Sequence, residues 1–292
     1  MAERKGVMLA YPLNEHRLSK FPKNILVQPK IDGNRCRAKY VNGKYQLISS
    51  SGAIIPFLPH INDELLKIAC KRIHWLSDEW KISWPQFDGE LYNHGLSHQE
   101  INGIVRRTEN ISPDYHLVEY HIFDLINHYD QEYRFHMLDD YLHFEEFELY
   151  TKINWVATRY TVKENWQFYL AKFMDQGYEG IILRNPLAKY EPKRSLNLLK
   201  YKPTHESRFT ITDAIEAIDI QGQPKDMLGA VRCIDEKGKR FKVGAGCLSH
   251  DERVMWWMKG NLNGCIAIVK FRTVTKDGIP REAVLMDIVE ED

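Results

Sequence analysis

The first half of the chain alternates apolar and polar residues in short runs. Ile25–Pro29, Arg35–Tyr40, Tyr45–Ser49, Gln86–Tyr92 and Leu117–Leu125 carry β-branched and aromatic side chains, several at a period of two, which predicts strands. Asn42-Gly43 separates two of these runs, and such a pair favours a two-residue hairpin turn. The spacing becomes helical at Ile61–Cys70 (INDELLKIAC) and again at Lys163–Gln176. There Trp166, Phe168, Leu170, Phe173 and Met174 leave an apolar stripe that Gly177 stops. Tyr178–Arg184 and Asn197–Tyr201 read as further strands.

After Pro203 the texture changes. Phe209–Ile220, Gly229–Ile234, Arg240–Val243, Cys265–Val274 and Ala283–Val289 predict five strands, parted by turn signals such as Gln221-Gly222 and Glu236-Lys237-Gly238. One helical segment, His250–Met258, interrupts them. Five short strands with one helix in roughly 85 residues is the rhythm of an oligonucleotide-binding (OB) barrel, which an SH3-like barrel shares. The expected fold class is α+β: antiparallel sheets with flanking helices over residues 1–205, then a small all-β OB-fold barrel over residues 206–292. Polar Thr204–Arg208, following a proline, is the expected hinge.

Length agrees with that division, because 292 residues suit one large and one small domain. Hydrophobic content of 43% and charged content of 27% describe an ordinary globular chain. No apolar run reaches the roughly 18 residues of a membrane-spanning helix. The opening MAERKGVMLAYPLNEH lacks the apolar stretch of a secretory signal, so a cytoplasmic protein is expected. Cys36, Cys70, Cys233, Cys247 and Cys265 lie far apart without C-x-x-C spacing, which reads as reduced thiols and argues against a structural zinc.

Acidic and basic residues balance at 40 each, so any nucleic-acid surface has to be a local patch. Lys189, Lys193, Arg194, Lys200 and Lys202 crowd one stretch against Glu191 alone, while Asp139–Glu148 runs acidic. Each stretch fits a solvated face equally well.

The sharpest local string is Gln28-Pro29-Lys30-Ile31-Asp32-Gly33-Asn34-Arg35. A lysine at a strand end, followed by Asp-Gly, lies where backbone can turn tightly around a phosphate, and Arg35 offers a second cation. Free lysine is almost wholly protonated at neutral pH, and neighbouring cations or burial are needed to make it a nucleophile. A surface hairpin with charged edges would carry the same string.

An ordered set follows it. Phe87-Asp88-Gly89-Glu90-Leu91-Tyr92 puts a carboxylate on a strand, and Tyr120-His121-Ile122-Phe123-Asp124-Leu125-Ile126 is an aromatic strand. Glu179-Gly180-Ile181-Ile182-Leu183-Arg184 supplies a second carboxylate, and Leu198-Leu199-Lys200-Tyr201-Lys202-Pro203 two lysines at period two.

In this order and spacing, the five strings resemble the motifs of the covalent nucleotidyltransferase superfamily of DNA ligases, RNA ligases and mRNA capping enzymes. The compact length most resembles the minimal, bacteriophage-type ATP-dependent DNA ligases. The resemblance implies that Lys30 attacks the α-phosphate of ATP to form a lysyl-AMP phosphoramidate. It implies that Glu90 contacts the ribose, that Phe123 stacks on adenine and that Gln28 contacts the base. Glu179, with Glu90 as a second ligand, would bind Mg2+, for which Mn2+ could substitute. Lys200 and Lys202 would neutralise phosphates, and Arg35 would meet a nucleotide or nick phosphate.

Physically, phosphoryl-type transfer needs converging positive charge more than covalent help, and Mg2+ suits one or two carboxylates plus phosphate oxygens. Relatives often carry Ser-Arg-x-Gly where this chain has Ser49-Ser50-Ser51-Gly52, so one phosphate contact is expected to be lost, with Lys44 or Arg37 as substitutes.

The carboxy-terminal segment selects the acceptor. Phe241–Gly246 with Glu252-Arg253, and Val269–Arg281, resemble the barrel of DNA ligases. Arg281-Glu282-Ala283-Val284 does not match the R-x-D-K string of capping enzymes, and RNA ligases commonly lack such a barrel. The expected activity is ATP-dependent sealing of 5′-phosphate/3′-hydroxyl nicks in duplex DNA by a monomer without membrane association. Joining of RNA or RNA/DNA hybrid strands stands as the alternative, and a non-catalytic nick-binding module as the alternative of another class. Arg35, Arg37, Lys193, Arg194, Lys242, Lys270 and Arg272 are the expected DNA contacts; phosphate contacts of this kind position a duplex without reading sequence. Short loops at Asp235–Lys239 and Gln221–Leu228 predict no long clamp around the DNA.

Overall fold

A computed structural model describes residues 6–75, 84–142, 152–275 and 278–290, and the chain divides into two compact units, Met1–Tyr201 and Lys202–Asp292. The acidic run Asp139–Glu148 lies, from residue 143 on, outside the described residues.

The first unit runs β1 (Leu9–Pro12), α1 (Glu15–Ser19), β2 (Asn24–Lys30), β3 (Asn34–Val41), β4 (Lys44–Ser49), β5 (Ile54–Ile55), α2 (Pro59–Trp75) and β6 (Phe87–Tyr92). It continues with α3 (His98–Val105), β7 (Glu119–Leu125), α4 (Gln131–Leu142), β8 (Ile153–Trp155), β9 (Arg159–Val162), α5 (Trp166–Asp175), β10 (Gly180–Arg184) and β11 (Arg194–Tyr201). Asn42 and Gly43 take φ of 49° and 85°, the paired positive values of a type I′ turn, and Val41 faces Lys44 across the hairpin.

The strands build two sheets. One has the order β1-β11-β10-β2-β9, the other β5-β4-β3-β6-β7-β8. Both are mixed rather than purely antiparallel, since β1 runs parallel to β11 and β8 parallel to β7. The alternation seen in the sequence is the cause of the layering. Cys36, Ala38, Tyr45, Leu47, Phe87, Leu91, Tyr120 and Ile122 point to one core with Ile61, Leu65 and Ile68 of α2. Ile25, Val27, Ile181, Leu183 and Leu199 meet Phe173 of α5 in a second. Burying each such side chain contributes about 1.5–3 kcal/mol.

Helices α3 and α4 go beyond the elements that periodicity predicts. Helix α3 is short, yet Ser97 and Glu100 close a capping box at its start, a cue legible in Ser97-His98-Gln99-Glu100. In α4 the pattern misleads, because a charged residue, Arg134, is among the most deeply buried.

The second unit runs β12 (His205–Ile218), β13 (Pro224–Ile234), β14 (Arg240–Gly244), α6 (His250–Met258), β15 (Ile266–Phe271), β16 (Thr273–Val274), β17 (Pro280–Arg281) and β18 (Val284–Val289). Five of these strands close a barrel in the order β12-β13-β14-β18-β15, with α6 between β14 and β15 along the chain. That arrangement is the OB fold and decides against an SH3-like barrel. Ile211, Leu228, Val231, Phe241, Val243, Val269 and Leu285 fill the interior, while Arg240 and Lys242 alternate outward. The expected hinge is mostly strand. His205 to Arg208 pair with Phe271 to Ile268, so the ladder fixes them and only Lys202–Thr204 connect the units without regular structure.

Candidate nucleotide site

Strand β2 ends at Lys30, which pairs with Gly180 at the start of β10. The Glu179 amide donates to the Lys30 carbonyl at 3.0 Å, and this brings the two side chains together: Lys30 Nζ lies 2.6 Å from Glu179 Oε2. The ammonium also donates to the Ile31 carbonyl at 3.2 Å. Gly33 is required for a reason other than the expected turn around a phosphate. A Cβ there would lie 2.3 Å from the Leu91 carbonyl oxygen and 2.8 Å from Glu90 Cγ. The bare backbone therefore seats the segment after Lys30 directly on β6, beside Glu90.

Burial pushes the Glu90 carboxyl up to about 7, against the pull of Arg35 and Lys30 and with the help of Asp88 and Asp32. A carboxyl that is partly neutral near pH 7 can hydrogen-bond a sugar hydroxyl without a stranded charge. Among the described residues no cluster of three or more His, Cys, Asp or Glu is arranged for a metal. Among the described residues Glu179 is the carboxylate in direct contact with the lysine, which fits an ion held mainly by substrate phosphates and water, as Mg2+ commonly is.

Phe123, half-buried on β7, has charged neighbours. The Arg35 guanidinium carbon lies 4.4 Å and that of Arg184 5.4 Å from its ring centroid. Arg35 is committed to the protein through two of its three nitrogens. It grips Asp88 through Nε–Oδ1 and Nη2–Oδ2 bonds of 2.7 and 2.6 Å and donates to the Met8 carbonyl at 3.2 Å. Tyr190 donates to the same Asp88 carboxylate at 2.6 Å. Burial works against the Arg35 charge, but Asp88 more than offsets it and holds the guanidinium above its ordinary range.

Gln28 also departs from expectation. Its Nε2 donates to the Phe123 carbonyl at 3.0 Å and to Thr158 Oγ1 at 2.8 Å, while Oε1 accepts from Arg184 Nε at 2.6 Å. Both amide hydrogens are engaged, so Gln28 braces the Phe123 strand and has no donor left for a base. Behind it lies a network that no sequence motif announces. Asp124 accepts from Arg134 Nε at 2.8 Å and Arg184 Nη1 at 2.7 Å, and Gln131 Oε1 accepts from Arg134 Nη2 and Arg184 Nη1 at 2.7 and 2.9 Å. Burial raises the Asp124 carboxyl, but Arg134 and Arg184 outweigh it and hold it below the usual range.

Lys200 lies opposite Ile182 on β11, and Lys202 follows the strand. The expected DNA contacts are divided between the two units, Arg35, Arg37, Lys193 and Arg194 in the first and Lys242, Lys270 and Arg272 in the second. Arg37 packs on the bare Cα of Gly6, where a Cβ would approach Nη1 to 2.3 Å. Lys193 lies 3.7 Å from Glu191, and Arg194 donates to the Ala10 carbonyl at 2.7 Å. In the barrel Lys242 is exposed, Lys270 is half-buried on β15, and Arg272 is paired with Glu282. Lys44 does not substitute for the arginine missing at Ser50, because it starts the strand that ends at Ser49, about 20 Å away at 3.3 Å per residue.

Comparison with known proteins agrees with this geometry. A family model for the ATP-dependent DNA ligase domain matches residues 7–202, and one for a DNA ligase OB-like domain matches residues 221–288. The DNA ligase of Haemophilus influenzae is 31% identical over 123 residues, 39% of this chain and 40% of that protein. That of African swine fever virus is 32% identical over 127 residues, 39% of this chain and 29% of that protein. The matched stretch thus spans less than half of either relative. A Lig E DNA ligase structure superposes with a TM-score of 0.72 at 21% identity, covering 97% of this chain and 98% of that one. The ATP-dependent DNA ligase of bacteriophage T7 in complex with ATP gives 0.57 at 14% identity, covering 98% and 99%. At these identities the structural likeness is one of fold.

Proposed function

The chain belongs to the ATP-dependent DNA ligase family, and we propose that it seals nicks in duplex DNA through Lys30. The observation that carries the reading is the Lys30–Glu179 contact at a strand end, in one unit with Glu90 and an Arg35-braced Phe123.

In the first step the Lys30 amine attacks the α-phosphorus of ATP. A P–N bond forms, the bond to the bridging oxygen breaks, pyrophosphate leaves and the amine gives up a proton. A carboxylate at 2.6 Å favours the charged ammonium, so the ion pair has to open before the lone pair is free. A divalent cation, when bound, would take Glu179 as ligand and add positive charge at the α-phosphate. Phe123 supplies the face on which adenine stacks, held in place by Gln28 and Arg184. Glu90 binds the ribose. Lys200 and Lys202 balance the charge of the phosphates.

In the second step the AMP moves from Lys30 to the 5′-phosphate of the nick. In the third the adjacent 3′-hydroxyl attacks that phosphorus and AMP departs. Base selectivity falls to backbone groups and to the shape of the pocket, since the Gln28 amide is already bonded to Phe123 and Thr158. The OB barrel, with Lys242 outward, supplies a second surface for the duplex. Among the described residues no helix is long and apolar enough to cross a membrane.

Incubation with α-labelled ATP tests the nucleophile: the native chain becomes labelled and Lys30→Ala does not. A labelled alanine variant would sink the assignment. Sealing of nicked DNA, RNA and hybrid duplexes with ATP, GTP or NAD as sole cofactor tests the substrate, and activity confined to ATP and nicked DNA is expected.

A further inference from the structure

We propose that Arg17 and Arg194, stacked on Tyr11, form a clamp for one backbone phosphate of the DNA, at the far edge of the sheet that carries Lys30. The inference rests on the DNA ligase reading above and extends it to a site that lies outside the nucleotide pocket.

Tyr11 lies on β1 and Arg194 begins β11, and Arg17 comes from the short helix that follows β1. The Arg17 and Arg194 guanidinium carbons lie 5.0 and 5.5 Å from the centroid of the one Tyr11 ring. Each arginine is anchored by a neutral acceptor: Arg17 Nη1 donates to the Pro12 carbonyl and Arg194 Nη1 to the Ala10 carbonyl, both at 2.7 Å. Among the described residues no carboxylate pairs with either, and the nearby Glu191 is taken up by Lys193 and Ser195.

Two like charges are thus held beside each other by one shared ring and two backbone carbonyls, none of which can neutralise them. A guanidinium has five donors, and one anchor bond leaves most of them directed to solvent. Paired forks of this kind match the oxygens of a phosphate.

Position decides which phosphate. Strand β1 is the third neighbour from β2 in the sheet, about 14 Å at 4.8 Å per strand. Register puts Tyr11 opposite Leu199, Leu199 opposite Leu183 and Leu183 opposite Val27, which is about 10 Å along the strand from Lys30. Tyr11 therefore sits roughly 17 Å from the Lys30 backbone. The phosphates of one ATP bound beside Lys30 do not span that gap, whereas a DNA strand at about 3.4 Å per nucleotide covers it in about five.

The test is the salt dependence of binding to a nicked duplex, followed by fluorescence anisotropy. One phosphate contact contributes about 0.9 to the slope of log K against log salt. If one fork alone does not hold the phosphate, Arg17→Gln, Arg194→Gln and the double variant are each expected to lower the slope by about one, the double not by two, because both grip the same phosphate. Tyr11→Leu, which frees both arginines, is expected to weaken binding as much as either. Unchanged slopes in variants that melt like the native chain would overturn the clamp, and a loss of two in the double variant would overturn the shared phosphate. Should a glutamine variant unfold, Arg17→Lys keeps the charge but loses the fork, and native affinity in that variant would equally overturn it. A native chain that binds no nicked DNA would instead refute the ligase reading, so the two failures are distinct.

Discussion

Around Phe123 the charged side chains of the first unit are buried and answered one by one, whereas those of the barrel stand outward over an apolar interior. Asp124, Arg134 and Arg184 are nearly inaccessible, and Asp88 is fully so beneath Arg35. The barrel pairs Arg232 with Asp213 and Arg272 with Glu282 are about half exposed. On the proposed function, a pocket that places one base and one α-phosphorus benefits from charges whose geometry is over-determined. A barrel surface that, on the same proposal, follows a polyanion needs charge more than fine placement, and water screens what is left unpaired.

Asp124→Asn strikes at the buried side of that contrast. It leaves two arginines without their counter-charge and should cost about 3–5 kcal/mol of stability, read by denaturant unfolding. The native carboxyl is depressed, so its contribution is present above the unfolded value and lost as pH falls below about 4. The acid limb of stability against pH should accordingly flatten in Asp124→Asn. Gln28→Ala should cost less, about 1–3 kcal/mol, because it orphans Arg184 Nε and the Phe123 carbonyl. It should also raise the KM for ATP while leaving the preference for ATP over GTP intact. A collapse of that preference would restore Gln28 as a reader of the base. Asp213→Ala in the barrel is the smallest: an exposed pair contributes about 0.2–1 kcal/mol, and a shift in melting beyond that would show the two regions to be more alike than their burial implies.

Much of the molecule is legible in its sequence, and what is not shares a cause. The hairpin at Asn42-Gly43 and helix His250–Met258 are readable because turn chemistry and period are local. Helix α4 is not, because its buried Arg134 answers an aspartate on β7 that no local pattern connects to it. Lys30, Glu90, Phe123 and Glu179 stand out through ordered strings. Asp88, Asp124, Gln131, Arg134, Thr158 and Arg184 do not, because their importance lies in whom they touch. The internal bonds of Gln28 and Arg35 are equally invisible in their strings, since an amide or a guanidinium bonded within the protein has the same letter as a free one.

By itself, then, the sequence determined the division into an α+β unit and a barrel, and the types of residue available for nucleotidyl transfer, but not that both sheets are mixed. Periodicity and turn preference are properties of neighbours along the chain, and these survive without a fold. Only the tertiary structure decided that Glu179 meets Lys30, that Gly33 is bare to admit β6, and that Tyr11 gathers Arg17 and Arg194. Each of those joins segments remote in sequence or depends on a clearance of a few tenths of an ångström, and both are set by packing rather than by composition.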